Sequence, residues 1–152
     1  MVRSTLYSTS SERETRNLGQ AVGNNLKQRS GKPVILALYG KLGSGKTTFI
    51  RGLASGLGIS GRIISPTFVL IRQYNLKPSG RLFHLDLYRL HDRYDLDSIG
   101  IGEILTAPGV IAAVEWADRV KGFLPKERTD IRFEVTGQYR RISFAGPQSI
   151  RI

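Results

Sequence analysis

The run Gly40-Lys-Leu-Gly-Ser-Gly-Lys-Thr47 satisfies G-x-x-x-x-G-K-[ST] without a mismatch. Glycines tolerate positive φ, so successive backbone N–H groups can turn inward as a nest for a phosphate. A helix starting there adds the positive end of its dipole. Lys46 is expected to bring a mobile ammonium to the β- and γ-phosphates, and the Thr47 hydroxyl to ligate a magnesium ion. The stretch Leu42, Gly43, Ser44, Gly45, Lys46, Thr47 and Thr48 is expected to hold the nucleotide, with Thr48 on the α-phosphate side. No N-K-x-D segment for reading guanine occurs in the chain, which makes ATP the expected nucleotide.

Phosphoryl chemistry also wants a carboxylate for the metal and a group to orient the attacking atom. Asp86 and Glu115 are the two candidates. Within Leu82-Phe-His-Leu-Asp-Leu-Tyr-Arg89, period-two alternation places His84, Asp86 and Tyr88 on one face of a strand, where Asp86 can face the loop. Glu115 closes Val110-Ile-Ala-Ala-Val114 and is expected at the carboxyl edge of a parallel sheet, where open α/β folds bind ligands. Lys46, Asp86 and Glu115 are read as the catalytic set, and Thr47, Asp86 and Glu115 as the metal set. The residues place Asp86 beside the metal and Glu115 on the water, or the two exchanged. His84 reads as a hydrogen-bonded structural residue, and with His91 it makes no credible metal pair. Trp116 reads equally as a half-buried aromatic or a nucleotide contact. Ser65-Pro66-Thr67 reads as a switch segment or an ordinary turn, with Pro66 holding Ser65 extended.

These residues need elements to carry them. Val34–Tyr39 is a continuous apolar run that reads as a strand buried on both faces, followed by the glycine turn and a helix over 46–57. A helix over 11–29 is expected from Leu18, Val22 and Leu26, capped by Ser10 or Ser11. Phe68–Tyr74 and Arg81–Tyr88 read as a hairpin, Asp92–Leu105 as a helix interrupted near Gly100 and Gly102, and Thr129–Val135 and Tyr139–Phe144 as closing strands. Strands alternating with helices imply an α/β fold: a P-loop NTPase-like three-layer sandwich, mostly parallel with antiparallel additions. With 152 residues and no repeat or linker, residues 1–152 are expected to form one domain.

Composition narrows the class. A hydrophobic fraction of 40% with 23% charged residues suits a globular protein, and no apolar stretch approaches the roughly 20 residues of a membrane span. No secretory signal is seen, so a cytoplasmic protein without membrane contact is expected. Zero cysteine excludes disulfides, thiolate metal sites and a cysteine nucleophile. The net charge of +11 is unevenly spread: residues 84–118 carry 2 Lys/Arg against 7 Asp/Glu, while residues 1–83 carry 13 against 2. Basic flanks around an acidic segment suit a polyanion such as ATP or RNA, with a divalent cation on the acids.

In order along the chain, Gly40-Lys-Leu-Gly-Ser-Gly-Lys-Thr-Thr-Phe49, Ser65-Pro-Thr-Phe68, His84-Leu-Asp-Leu-Tyr-Arg-Leu90 and Val114-Glu-Trp116 resemble the TsaE (YjeE) family of bacterial ATPases. The likeness extends from Glu14-Thr15 and Leu18-Gly19 to Gly122-Phe-Leu-Pro125, and no motif of the family falls after residue 126. The resemblance implies a small Mg²⁺-dependent ATPase in threonylcarbamoyladenosine modification of tRNA. Such a protein acts on the TsaD and TsaB proteins, and through their complex on tRNA. It also implies that Thr47, Asp86 and Glu115 are magnesium and hydrolysis residues, and that the segment around Ser11 borders adenine. Two rival functions follow from the residues themselves. A small-molecule kinase has the same phosphate loop, with Arg89 and Arg93 as lid candidates but no identifiable acceptor site. A non-catalytic, nucleotide-regulated RNA- or partner-binding module suits the basic flanks.

Overall fold

The computed structural model describes every residue except 1, 2, 28, 30, 65–69, 91, 92, 148, 149 and 151, and the side chains of all of these but 93, 94 and 121. Ser65-Pro66-Thr67 and His91 therefore lie outside the described residues. The apolar run becomes strand β2, Val34–Tyr39, with all six residues buried. Alternation divides them: Val34, Leu36 and Leu38 enter one core, and Ile35, Ala37 and Tyr39 enter another. The first core contains side chains of helices α1 (Glu12–Leu26) and α2 (Lys46–Gly56). The second contains those of α3 (Arg93–Ser98), α4 (Ile101–Thr106) and a 3₁₀ segment, Ala117–Phe123, of two short turns kinked at Val120. Helices thus cover both faces of the sheet.

Seven strands form that sheet: β1 (Arg3–Thr9), β2, β3 (Ile71–Asn75), β4 (Arg81–Asp86), β5 (Val110–Glu115), β6 (Thr129–Thr136) and β7 (Tyr139–Gly146), in the order β1-β7-β6-β2-β5-β4-β3. The central β6, β2, β5 and β4 are parallel, and β3, β7 and β1 add antiparallel edges. The expected α/β class holds, with the sheet mixed, and β1 is an addition to the sequence reading. Its residues are mostly exposed, with only Thr9 fully buried, so it lacks the apolar alternation that marks a strand. Left-handed Gly100, at φ 72°, divides α3 from α4 where an interruption was expected. No helix among the described residues is long and apolar enough to cross a membrane.

Helix α1 begins with the Ser11 hydroxyl accepting from Glu14 N at 3.1 Å, while the Glu14 carboxylate accepts from Ser10 N at 2.6 Å. Its buried stripe then lies on α2 through glycines. A Cβ on Gly19 would stand 2.1 Å from Phe49 O, one on Gly23 2.3 Å from Leu53 O, one on Gly52 2.0 Å from Arg16 O, and one on Gly56 2.2 Å from Gln20 O. Two helices in backbone contact admit no side chain at those four points. Gly52→Ala is expected to lower stability by about 2–3 kcal/mol, as overpacking against backbone does. Gly102→Ala, in a helix with open space around it, should be neutral or stabilising by up to about 1 kcal/mol. Denaturant midpoints of the two variants check the contrast.

Candidate functional site

The phosphate loop leaves β2 at Gly40, whose φ is 154°, and turns through Gly43 at 77° and Gly45 at 106°. A Cβ on Gly40 would sit 2.6 Å from Ser44 Oγ and 2.9 Å from Phe133 O, so glycine is needed there for space as well as conformation. Helix α2 starts at Lys46 with Gly45 as its cap and no side-chain cap bond, which leaves its first N–H groups directed at the loop.

Parallel pairing brings the acids to this point. Glu115 is the register partner of Leu38 on β2 and of Asp86 on β4, so both carboxylates emerge level at the carboxyl edge beside the loop. Glu115 is only 3% exposed and uses both oxygens: Oε1 accepts from Thr47 Oγ1 at 2.9 Å, and Oε2 lies 2.7 Å from His84 Nε2. A carboxylate only accepts, so the fully buried His84 donates from Nε2 and holds Glu115 from within the sheet. His84 thus has the structural role expected of it. Asp86 is buried; its Oδ1 accepts from Tyr88 N at 3.1 Å.

Lys46 is buried among these groups. Its ammonium donates to Gly40 O and, at 3.4 Å, to Lys41 O, and it stands 4.2 Å from the centre of the Trp116 ring. Burial lowers its pKa from the ordinary 10.5, while the charges of Glu115, Asp118 and Asp86 push it back up. Trp116 has a left-handed backbone, φ 59° and ψ 41°, a cost of about 1–2 kcal/mol for a residue of this size. That conformation directs the chain from β5 into the 3₁₀ helix and sets the indole against both Lys46 and Tyr88, whose ring is 4.9 Å away.

A cavity of about 250 Å³ joins these parts. Leu42, Gly43, Ser44, Gly45, Thr47 and Thr48 line it, and Lys46, Asp86, Glu115 and Trp116 face them. Ser11 is not among its walls: its hydroxyl is committed to the helix cap, and the neighbouring Glu12 borders the cavity instead. Arg140, on β7, also lines it and was not singled out in the sequence, where nothing but the register of a late strand brings it near the loop.

Residues 9–142 match the family described as Threonylcarbamoyl adenosine biosynthesis protein TsaE. The chain belongs to the TsaE family. It is 38% identical over 133 residues to the tRNA threonylcarbamoyladenosine biosynthesis protein TsaE of Treponema pallidum, covering 86% of this chain and 92% of that one. To the TsaE protein of Bacillus subtilis it is 41% identical over 109 residues, 70% of this chain and 65% of the relative, so the chain spans just under two thirds of that protein. The crystal structure of Bacillus subtilis YdiB superposes with a TM-score of 0.76 at 33% identity, covering 97% of this chain and 88% of that one.

The chain has a single tryptophan, so its intrinsic fluorescence reports on one site. Lys46→Ala removes the cation over the ring and is expected to change the emission of Trp116 in the unliganded protein. Emission identical to wild type would show that the ammonium does not rest on the indole in solution. The lowered Lys46 pKa has a second consequence. A phosphate held by the ammonium would raise that pKa, so any affinity for inorganic tripolyphosphate that depends on Lys46 is complete below the unliganded, lowered pKa and is lost as pH rises through it. Titration calorimetry across that range should show this loss in the wild type and not in Lys46→Ala.

Proposed function

We propose that the protein is a magnesium-dependent ATP hydrolase serving threonylcarbamoyladenosine modification of tRNA. Its partners in this reading are the TsaD and TsaB proteins, and through their complex tRNA, in the cytoplasm. The observation that carries the ATPase reading is the 2.9 Å contact between Thr47 Oγ1 and Glu115 Oε1 beside the Lys46 ammonium. Membership of the TsaE family supports the setting.

Magnesium fits this donor set. It is a hard cation that takes oxygen ligands, commonly one or two from protein and the rest from phosphates and water. A hydroxyl and a carboxylate that already meet offer such a pair, although no group of three or more His, Cys, Asp or Glu that could hold a metal occurs among the described residues. When bound, the ion would neutralise charge developing on the phosphate oxygens. Thr47 and Glu115 are therefore assigned to the metal. Asp86, level with Glu115 on the neighbouring strand, is assigned to orienting the attacking water; of the two assignments open in the sequence, this contact favours the exchanged one. Lys46 supplies positive charge to the transferring phosphoryl group, and the backbone amides from Gly43 to Thr48 hold the phosphates. Water adds to the γ-phosphorus, the bond to the bridging oxygen breaks, and ADP and phosphate leave.

Phosphate release from ATP, measured with and without purified TsaD and TsaB, tests the reading. Wild type is expected to release free phosphate slowly and faster with both partners. Asp86→Asn should retain ATP binding and lose about 100-fold or more in turnover, while Glu115→Ala should bind ATP but lose its magnesium dependence along with turnover. A phosphorylated metabolite in place of free phosphate would point to a kinase. Unchanged turnover in both variants would point to a nucleotide-regulated binding module.

A further inference from the structure

Side chains alternate along β7, and Phe144 and Ile142 lie in the core that contains α1 and α2. Arg140 is the next residue on that face, at the end of the row where α2 begins. Its Cδ and Nε stand 3.2 and 3.3 Å from where a Cβ on Gly45 would be, so the guanidinium stem lies directly on the phosphate loop. Its Nε is buried and has no hydrogen-bond partner, although the cavity is lined by Arg140, Gly45 and Glu12 together. Neither ion pair found among the described residues involves Arg140. A buried donor without an acceptor is an unfavourable arrangement that an anion would relieve.

The sheet order says which part of an anion this is. Strand β5, with Glu115, lies on one side of β2, and β6 and β7 lie on the other. Arg140 therefore reaches the loop from the flank opposite the Thr47–Glu115 contact. If the metal and γ-phosphate occupy the Glu115 flank, the α-phosphate and nucleoside fall on the Arg140 flank. We propose that Arg140 is a nucleotide-binding residue that grips the α-phosphate end of the ligand, a contact made equally with ADP and ATP. It is thus a ground-state binder and not a group that acts on the transferring phosphoryl. The assignment rests on the nucleotide reading above, and it gives a role to a strand in which no sequence motif was placed.

Titration calorimetry of wild type, Arg140→Ala and Arg140→Lys with ADP and with ATP tests it. Arg140→Ala is expected to weaken both nucleotides by the same factor, about tenfold or more, the size of a charge-assisted hydrogen bond. Arg140→Lys should recover part of the loss for both nucleotides, because it restores the positive charge without the guanidinium fork. Equal affinities in wild type and Arg140→Ala would overturn the proposal. So would a loss confined to ATP, which would place Arg140 on the γ-phosphate. Wild type that binds neither nucleotide would remove the ATPase reading itself, and the proposal with it. Melting temperatures without nucleotide show whether a variant folds, and Arg140→Gln carries the comparison if Arg140→Ala does not.

Discussion

A carboxylate taken out of water is tolerated only where both oxygens find donors. Glu115 meets that condition by bridging two elements that are far apart in sequence: Thr47 on the first turn of α2, and His84 in the middle of β4. The requirement fixes more than one side chain. The loop must end its turn where Thr47 can reach down, β5 must run parallel to β2 in a register that stops at Glu115, and β4 must place a histidine one strand across. The mixed sheet provides this because its four central strands are parallel and β2, β4 and β5 finish together at one edge.

The charge pattern along the chain takes on a spatial meaning in this frame. The acidic segment 84–118 supplies Asp86, Glu115 and Asp118, the three carboxylates whose charges act on Lys46. The opposite wall of the cavity sets Arg140 near Glu12 and the backbone amides of the loop. The carboxylates that act on Lys46 thus gather on one flank and Arg140 stands on the other, an asymmetry that a uniform basic patch would lack.

Much of this was legible in the residues. The glycine turn from Gly40 to Gly45 lies between a buried strand and a helix as the residues indicate, and the buried runs of β2 and β5 are the strands expected of them. Asp86 and Glu115 were picked out because each ends an apolar strand, and the register sets the two side by side at one sheet edge. What escaped has physical reasons. Strand β1 is held by pairing with β7 at an edge and buries only Thr9 fully, so no periodicity betrays it. Arg140 stands next to a second arginine in Tyr139-Arg-Arg-Ile142, and only the face it takes in the cross-sheet register singles it out. The 3₁₀ segment Ala117–Phe123 depends on the left-handed turn at Trp116, a conformation no propensity would assign to tryptophan. Ser11 takes the cap expected of it, its hydroxyl accepting from Glu14 N, and the next residue, Glu12, borders the cavity.

The glycine crossing of α1 and α2 bears on how the two walls of the cavity differ. With Gly19, Gly23, Gly52 and Gly56 set against opposing carbonyls, the helices touch main chain to main chain and have no side chains between them to repack. Sliding one past the other would drive atoms into contact at four points, so the pair moves as one stiff block. Glu12 and the phosphate loop ride on that block at constant separation. The facing wall, from Asp86 through Tyr88 to Trp116, hangs from strand ends and ring contacts, so any opening or tightening of the cleft belongs to that side.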